Sequence, residues 1–182
     1  LNQKKTSSMN NFDRKIINWY KKYGRHDLPW RNNISPYSIW ISEIMLQQTQ
    51  VKTVIPYFNN FMQKYPNLDA LLEASEDEIL AQWSGLGFYR RAKNIYKACR
   101  TICEEFNRKL PDNISDLESL PGIGRSTAGA IMSIAYNEGY PILDANVKRV
   151  LSRYEKISFK TENERNKNLW LISEKLTPKK ES

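Results

Sequence analysis

The chain has 182 residues, 40% hydrophobic and 26% charged, a composition that suits one globular domain, or one and a small remainder, and argues against wholesale disorder. Apolar runs extend only a few residues, so no segment is expected to span a bilayer, and Leu1 to Asn11 lacks the apolar core of a signal peptide. The net charge of +8 favours an anionic partner, nucleic acid before others.

The charge is unevenly placed. Residues 1–32 carry eight Lys/Arg against two acids and residues 145–182 carry ten against five, whereas residues 33–144 carry ten against thirteen. The two chain ends are thus the basic regions; a generally solvated basic surface is the alternative. Two cysteines and one histidine argue against a disulfide framework or a four-ligand structural metal site.

The pattern is helical nearly throughout. Phe12, Ile16, Trp19, Tyr20 and Tyr23 fall at three-to-four spacing, with Gly24 as a stop. Ser35-Pro36 opens a second helix whose apolar face is Trp40, Ile41, Ile44 and Met45. A third is expected from about Gln50 to Tyr65, with Pro56 interrupting it or near its start. Ser75 and Glu78 form a capping pair ahead of Ile79, Leu80 and Trp83, and Gly85 and Gly87 break the chain.

From about Tyr89 a long helix places Ala92, Ile95, Tyr96, Cys99, Ile102, Cys103 and Phe106 on one face. The cysteines there read as buried small apolar residues rather than metal ligands. Ser115 and Glu118 are expected to cap a short helix ending at Pro121-Gly-Ile-Gly124. A glycine-interrupted helix follows, with Ala128, Ile131, Met132 and Ala135 facing inward. Residues 146–154 and 162–176 read as two more, the last capped by Thr161 and Glu164. No alternating strand and no fixed-period repeat appears. The expected fold class is all-α with short connections.

Five segments carry candidate chemistry. Leu120-Pro-Gly-Ile-Gly-Arg-Ser-Thr127 lies between two helical patterns. Gly122 and Gly124 allow a tight turn and close approach, and the next helix begins with outward N–H groups beside Arg125. That geometry takes a phosphate without reading bases; an ordinary helix–turn–helix corner is the alternative. Glu43 sits in Trp40-Ile-Ser-Glu-Ile-Met-Leu46, where apolar surroundings favour the protonated carboxyl and hence a general acid; a solvated helix position is the alternative. Asp144, in Pro141-Ile-Leu-Asp-Ala-Asn146, is either a second functional carboxylate or an N-cap.

Gln47-Gln48-Thr49-Gln50 offers amides that can fill a gap in a base stack or bond base edges, unless it is a solvated helix end. Gly85-Leu-Gly-Phe-Tyr89 is followed by Arg90-Arg91. An exposed aromatic there can wedge between bases and the arginines can meet phosphates; a buried aromatic at a helix start is the alternative.

In order and spacing, Leu28-Pro-Trp-Arg31, Pro36-Tyr37, Ser42-Glu-Ile-Met-Leu-Gln-Gln-Thr-Gln-Val51, Gly85-Leu-Gly-Phe-Tyr89, Leu120-Pro-Gly-Ile-Gly124 and Ile142-Leu-Asp-Ala-Asn-Val-Lys-Arg-Val150 resemble the helix–hairpin–helix DNA glycosylases, and within them the MutY-type adenine DNA glycosylases. The resemblance covers roughly Phe12 to Pro178. It implies a six-helix barrel with the hairpin at 29–140 and a second helical lobe built from 1–28 and 141–182, the active site lying between them. It also implies a substrate: duplex DNA with adenine opposite 8-oxoguanine or guanine.

By that resemblance Glu43 protonates the flipped adenine and then helps to activate water. Asp144 stabilises the charge developing on the sugar, and Asn146 orients the catalytic groups. Gln48 and Phe88 fill the gap left in the stack, and Trp30, Arg31, Leu46 and Val51 match positions lining the base pocket. Gln47, Leu86, Tyr89 and Arg90 flank the gap-filling pair, and Gly122, Gly124 and Arg125 hold the backbone. Related endonuclease III-like lyases place a lysine where this chain has Ser126, so the resemblance implies a monofunctional glycosylase. His26 stands where the family often has Arg.

The family usually carries a [4Fe–4S] cluster on four downstream cysteines. Cys99 and Cys103 lie upstream and do not form that set, so no metal site is expected in this chain. The sequence is expected to stop before the cluster region and a C-terminal recognition domain. Leu169, Trp170, Ile172 and Leu176 are then expected to lack packing partners. A monomer in the cytoplasm, associated with the nucleoid and not with a membrane, is the accompanying expectation. A non-catalytic DNA-binding remnant and an endonuclease III-like glycosylase/lyase are the alternatives.

Overall fold

The computed structural model describes residues 12–155 and 161–178. Among these there are eleven helices and no strand. They are α1 (Phe12–Tyr23), α2 (Pro29–Asn32), α3 (Pro36–Leu46), α4 (Val51–Lys64), α5 (Leu68–Leu72), α6 (Glu76–Gln82), α7 (Arg90–Glu105), α8 (Ile114–Ser119), α9 (Arg125–Ala135), α10 (Ala145–Glu155) and α11 (Glu162–Leu176). The chain divides into two compact units: Asp27–Tyr136, and Leu1–His26 together with Asn137–Ser182. No helix of the described residues is long and apolar enough to cross a membrane.

The unit Asp27–Tyr136 is organised around α3. Eight of its eleven residues are buried, among them Ile39, Trp40, Ile41, Ile44 and Met45. A helix apolar nearly all round cannot lie on a surface, so it becomes the central rod. Helices α4 and α9 pack on it, with α8 packing on α9. Ala128, Gly129 and Ala130 of α9 are buried, small side chains that suit close approach to α3. Gly129 does not interrupt α9. Helices α5 and α6 pack on α7, which contributes Ala92, Ile95, Ala98, Cys99 and Ile102 to the core.

The start of α3 is fixed locally. The Ser35 hydroxyl accepts from the Ser38 N–H at 3.0 Å, and the Ser38 hydroxyl accepts from the Ser35 N–H at 3.0 Å, a reciprocal capping box with Pro36 in the first turn. The Ser75–Glu78 box opens α6 in the same way. Thr161 caps α11.

Two boundaries differ from the sequence expectation. Helix α4 runs unbroken through Pro56, because Val54, Phe58 and Phe61 anchor its inner face and both Lys52 and Pro56 face solvent. Water can then serve the Lys52 carbonyl that a proline N–H cannot. The cap of α8 is Asn113, not Ser115: extended Asn113 accepts from the Asp116 N–H at 3.0 Å, which places Ser115 inside the first turn.

The second unit has a small core of its own. Leu143, Leu151 and Leu169 are buried together, with Phe12, Val147, Trp170, Ile172 and Leu176 packed against them. The expectation that Leu169, Trp170, Ile172 and Leu176 lack partners is therefore not met, since α1 and the 143–151 segment supply them. The Phe12 and Tyr154 rings lie 4.1 Å apart. Elsewhere on α1 the apolar series is open: Ile16, Trp19, Tyr20 and Tyr23 are exposed, and no α1 residue is buried. Of the basic ends, Lys4, Lys5, Lys156, Lys160, Lys179 and Lys180 lie outside the described residues.

Candidate active site

Glu43 is the one carboxylate of α3 and lies partly buried between fully buried Ser42 and Ile44. Because α3 is enclosed by α4 and α9, the backbone that carries Glu43 is held on several sides. The same rod ends in Gln47, whose N–H bonds back to the Ile44 carbonyl at 3.4 Å. The Gln47 side chain turns toward the hairpin, donating to the Gly122 carbonyl at 3.5 Å and the Thr127 hydroxyl at 3.4 Å. Gln48 next to it is exposed, with a left-handed backbone at φ 58°. Leu46 and Val51 flank this turn, both partly buried. Trp30 is buried edge-on against Phe58, ring centres 5.3 Å apart, with partly buried Arg31 beside it on α2.

The Gly85–Tyr89 loop meets this turn. Phe88 is 55% exposed, a large apolar side chain standing in water, and its backbone is also left-handed at φ 51°. Leu86 is buried and anchors the loop, while Tyr89 and Arg90 are exposed. Gln47, Gln48, Phe88, Tyr89, Arg90, Arg91 and Asn94 line a cavity of about 480 Å³. The structure thus gathers Gln47, Gln48, Phe88, Tyr89 and Arg90 at one place.

Arg91 corrects the sequence expectation. It does not point to solvent for a phosphate; it is 7% exposed. Its Nη1 donates to the carbonyls of Ile44 at 3.2 Å, Met45 at 2.6 Å and Gln47 at 2.6 Å, and Nη2 donates to Gly87 at 3.1 Å. Its guanidinium lies over the rings of Trp83 and Phe88, at 5.4 and 5.2 Å. Burial lowers its proton affinity from the usual arginine value, although a guanidinium stays charged at any physiological pH. The signal was in the sequence: Arg91, Ile95, Ala98 and Ile102 form one three-to-four series on α7.

The hairpin follows α8. Gly122 has φ +86°, and a Cβ there would lie 2.8 Å from the Asn94 Cβ, so both conformation and space require glycine. Asn94, which the sequence did not single out, is therefore the seat of the hairpin. Gly124 caps α9 with φ −96° and open space around it. A glycine cap brings no side-chain acceptor to the first-turn donors, the arrangement in which a helix start accepts an anion. Arg125 is exposed in that first turn, and Ser126 is partly buried beside it.

A family model described as HhH-GPD superfamily base excision DNA repair protein matches residues 41–175, from α3 through the hairpin into α11. The chain belongs to the HhH-GPD superfamily. Its similarity to adenine DNA glycosylases is high: 52% identity over 92% of this chain and 48% of the relative from Buchnera aphidicola of Schizaphis graminum. With the human relative it shares 42% identity over 78% of this chain and 28% of that protein. The chain spans about half the length, or less, of these curated relatives. Among solved structures, a thermostable thymine-DNA glycosylase matches with TM-score 0.82 and 27% identity, over 96% of this chain and 81% of that one. An endonuclease III trapped in a covalent intermediate with DNA shares the fold, with TM-score 0.76 and 21% identity over 93% and 79%.

On this HhH-GPD chain the remaining expected residues lie in the second unit. Asp144 is exposed and caps α10: its Oδ1 accepts from the Val147 N–H at 2.7 Å and its carbonyl from the Lys148 N–H at 2.9 Å. The N-cap alternative thus describes its local geometry, and an N-cap bond occupies one carboxylate oxygen. Exposed Asn146 accepts from Arg149 Nη2 at 2.8 Å. His26 donates through Nε2 to the Tyr20 carbonyl at 3.1 Å.

The cysteines do not fit an iron–sulfur cluster. Cys99 is buried in the α7 core, where burial pushes its thiol up to about 12, and Cys103 lies one turn on. Two thiols, one of them held neutral, are not the four thiolates such a cluster needs. No group of three or more metal-ligating side chains occurs among the described residues.

Proposed function

We propose that this chain carries the catalytic barrel of an adenine DNA glycosylase. Its substrate is duplex DNA with adenine opposite 8-oxoguanine or guanine, and its product is an abasic site. The observation that carries the proposal is the placement of Glu43 and Gln48 on one rigid rod and its end. A carboxyl partly withdrawn from water precedes, by little more than one helical turn, an exposed left-handed residue that shares a cavity with Phe88.

The chemistry follows from those groups. Gln48 and Phe88 enter the stack as the adenine leaves it. Protonated Glu43 gives its proton to a ring nitrogen of adenine. The C–N glycosidic bond then breaks with its electron pair going to the base, and the sugar becomes an oxocarbenium ion. The Asp144 carboxylate stabilises that cation. Water adds to the sugar carbon and yields its proton to the Glu43 carboxylate, which restores the acid. Ser126 has no amine with which to form a Schiff base, so the reaction stops at the abasic site.

The sequence similarity to adenine DNA glycosylases supports the choice of base. The test is the product. Single-turnover reaction with a duplex holding adenine opposite 8-oxoguanine is expected to yield free adenine and an abasic strand, with no adduct trapped by borohydride. Duplex binding without base release would contradict the proposal, and a trapped adduct would contradict its monofunctional part.

A further inference from the structure

The two residues proposed to enter the DNA share an unusual backbone. Gln48 and Phe88 both lie in the left-handed region, at φ 58° and 51°. For residues without a short polar side chain that conformation costs about 1–3 kcal/mol and persists only where the surroundings impose it. The φ angle of a residue is set by the peptide plane that precedes it. The plane before Gln48 ends in the Gln47 carbonyl, and the plane before Phe88 ends in the Gly87 carbonyl. Both carbonyls accept from one guanidinium: Arg91 Nη1 at 2.6 Å and Arg91 Nη2 at 3.1 Å.

We infer that Arg91 is a positioning residue that sets Gln48 and Phe88, together, in the conformation from which they enter the duplex. The planar fork has two donors pointing along fixed directions, so it fixes the two loops relative to each other and not only each to the core. Its further bonds from Nη1 to Ile44 and Met45 tie that fork to the last turn of α3, which also carries Glu43, and a bond from Nη2 to the Leu86 carbonyl at 3.5 Å ties it to the base of the Gly85–Tyr89 loop. The guanidinium face 5.2 Å from the Phe88 ring centre holds the side chain as well as the backbone. The Arg91 N–H closes the turn on the Phe88 carbonyl at 2.9 Å. Lysine cannot replace this: it keeps the charge but has no planar fork.

The inference rests on the proposed glycosylase function for its purpose, but not for its geometry, and the two are tested separately. The first arm needs no activity. The chain is labelled with 4-fluorophenylalanine, and the Phe88 fluorine resonance is assigned with Phe88→Leu. Arg91→Lys and Arg91→Gln are expected to shift or broaden that resonance and leave those of the other five phenylalanines in place. An unmoved Phe88 resonance in both variants would overturn the inference. Unfolding of both would also overturn it, since Arg91 would then serve the core as a whole.

The second arm uses a duplex with 2-aminopurine opposite 8-oxoguanine, whose fluorescence rises when the base leaves the stack. Arg91→Lys is expected to retain duplex affinity while its unstacking signal on that duplex, and its single-turnover adenine release from the duplex with adenine at the same position, fall by about 10- to 100-fold at saturating protein. With Gln48→Ala and Phe88→Ala already present, Arg91→Lys is expected to add less than about twofold, because coupled residues are not additive. A full additional loss would overturn the inference. If the parent chain gives neither signal nor release, the glycosylase proposal fails, and the fluorine spectra still decide whether Arg91 holds Phe88.

Discussion

At Gly122 and Gly124 the same residue type serves different ends. Gly122 needs its φ of +86° and the space that Asn94 would deny to a Cβ, whereas Gly124 has an ordinary φ and open surroundings. Gly122→Ala is therefore expected to cost about 1–3 kcal/mol in urea unfolding, from strain and the Asn94 contact. Gly124→Ala, with open space and an ordinary φ, is expected to cost no more than about 1 kcal/mol, the penalty of alanine for glycine at an N-cap. It should instead weaken duplex binding, because its methyl stands at the helix start proposed to take a phosphate. At this scale two placements were legible: a carboxylate in an apolar helix, partly buried at Glu43, and an aromatic after Gly87, exposed at the cavity as Phe88. Arg91 was not. A charged side chain reads as exposed, and only its membership of the 91, 95, 98, 102 series places it inside. Asn94 carried no signal at all, since its importance lies in what Gly122 approaches.

The elements show why caps were easier to read than cores. Ser75 with Glu78 was legible because a capping box is local, and the structure forms it, with the Ser75 N–H donating to Glu78 at 2.9 Å. That bond holds the Glu78 carboxyl below its usual range. A carboxylate with a lowered folded value contributes stability above its unfolded value and loses it as pH falls through the folded one. Melting curves of the parent and Glu78→Gln are thus expected to differ at neutral pH and to converge in acid; a constant gap would contradict the assignment. Helix α8 was located from its pattern but its cap was misread by two residues, because Asn113 and Ser115 are both good caps and only backbone geometry chooses. Helices α2 and α5, of four and five residues, are too short to show a period.

Over the whole molecule, the chain begins and ends in one unit while its middle forms the other. The charge pattern says only that both ends are basic, whereas the fold class followed from period and breakers. What composition could not supply was which helices enclose which, so the packing of Leu169 and Trp170 was misjudged from sequence alone. The basic balance and the exposed Arg90 beside the cavity predict DNA binding that weakens with salt. Arg90→Ala is expected to reduce the slope of log affinity against log salt by about one, as loss of a phosphate contact does, and Arg91→Lys to leave that slope unchanged. Equal slope changes in the two would contradict the assignment of Arg91 to the interior.

The measurement that bears most directly on the central claim is single-turnover adenine release by Glu43→Gln, beside the parent chain, on a duplex with adenine opposite 8-oxoguanine. Glutamine keeps the size and polarity of the side chain but cannot donate a proton to the base or recover one from water. The account predicts a folded variant that binds the duplex as the parent does and releases adenine at least about 100-fold more slowly. Release at the parent rate would remove Glu43 from the chemistry and contradict the account.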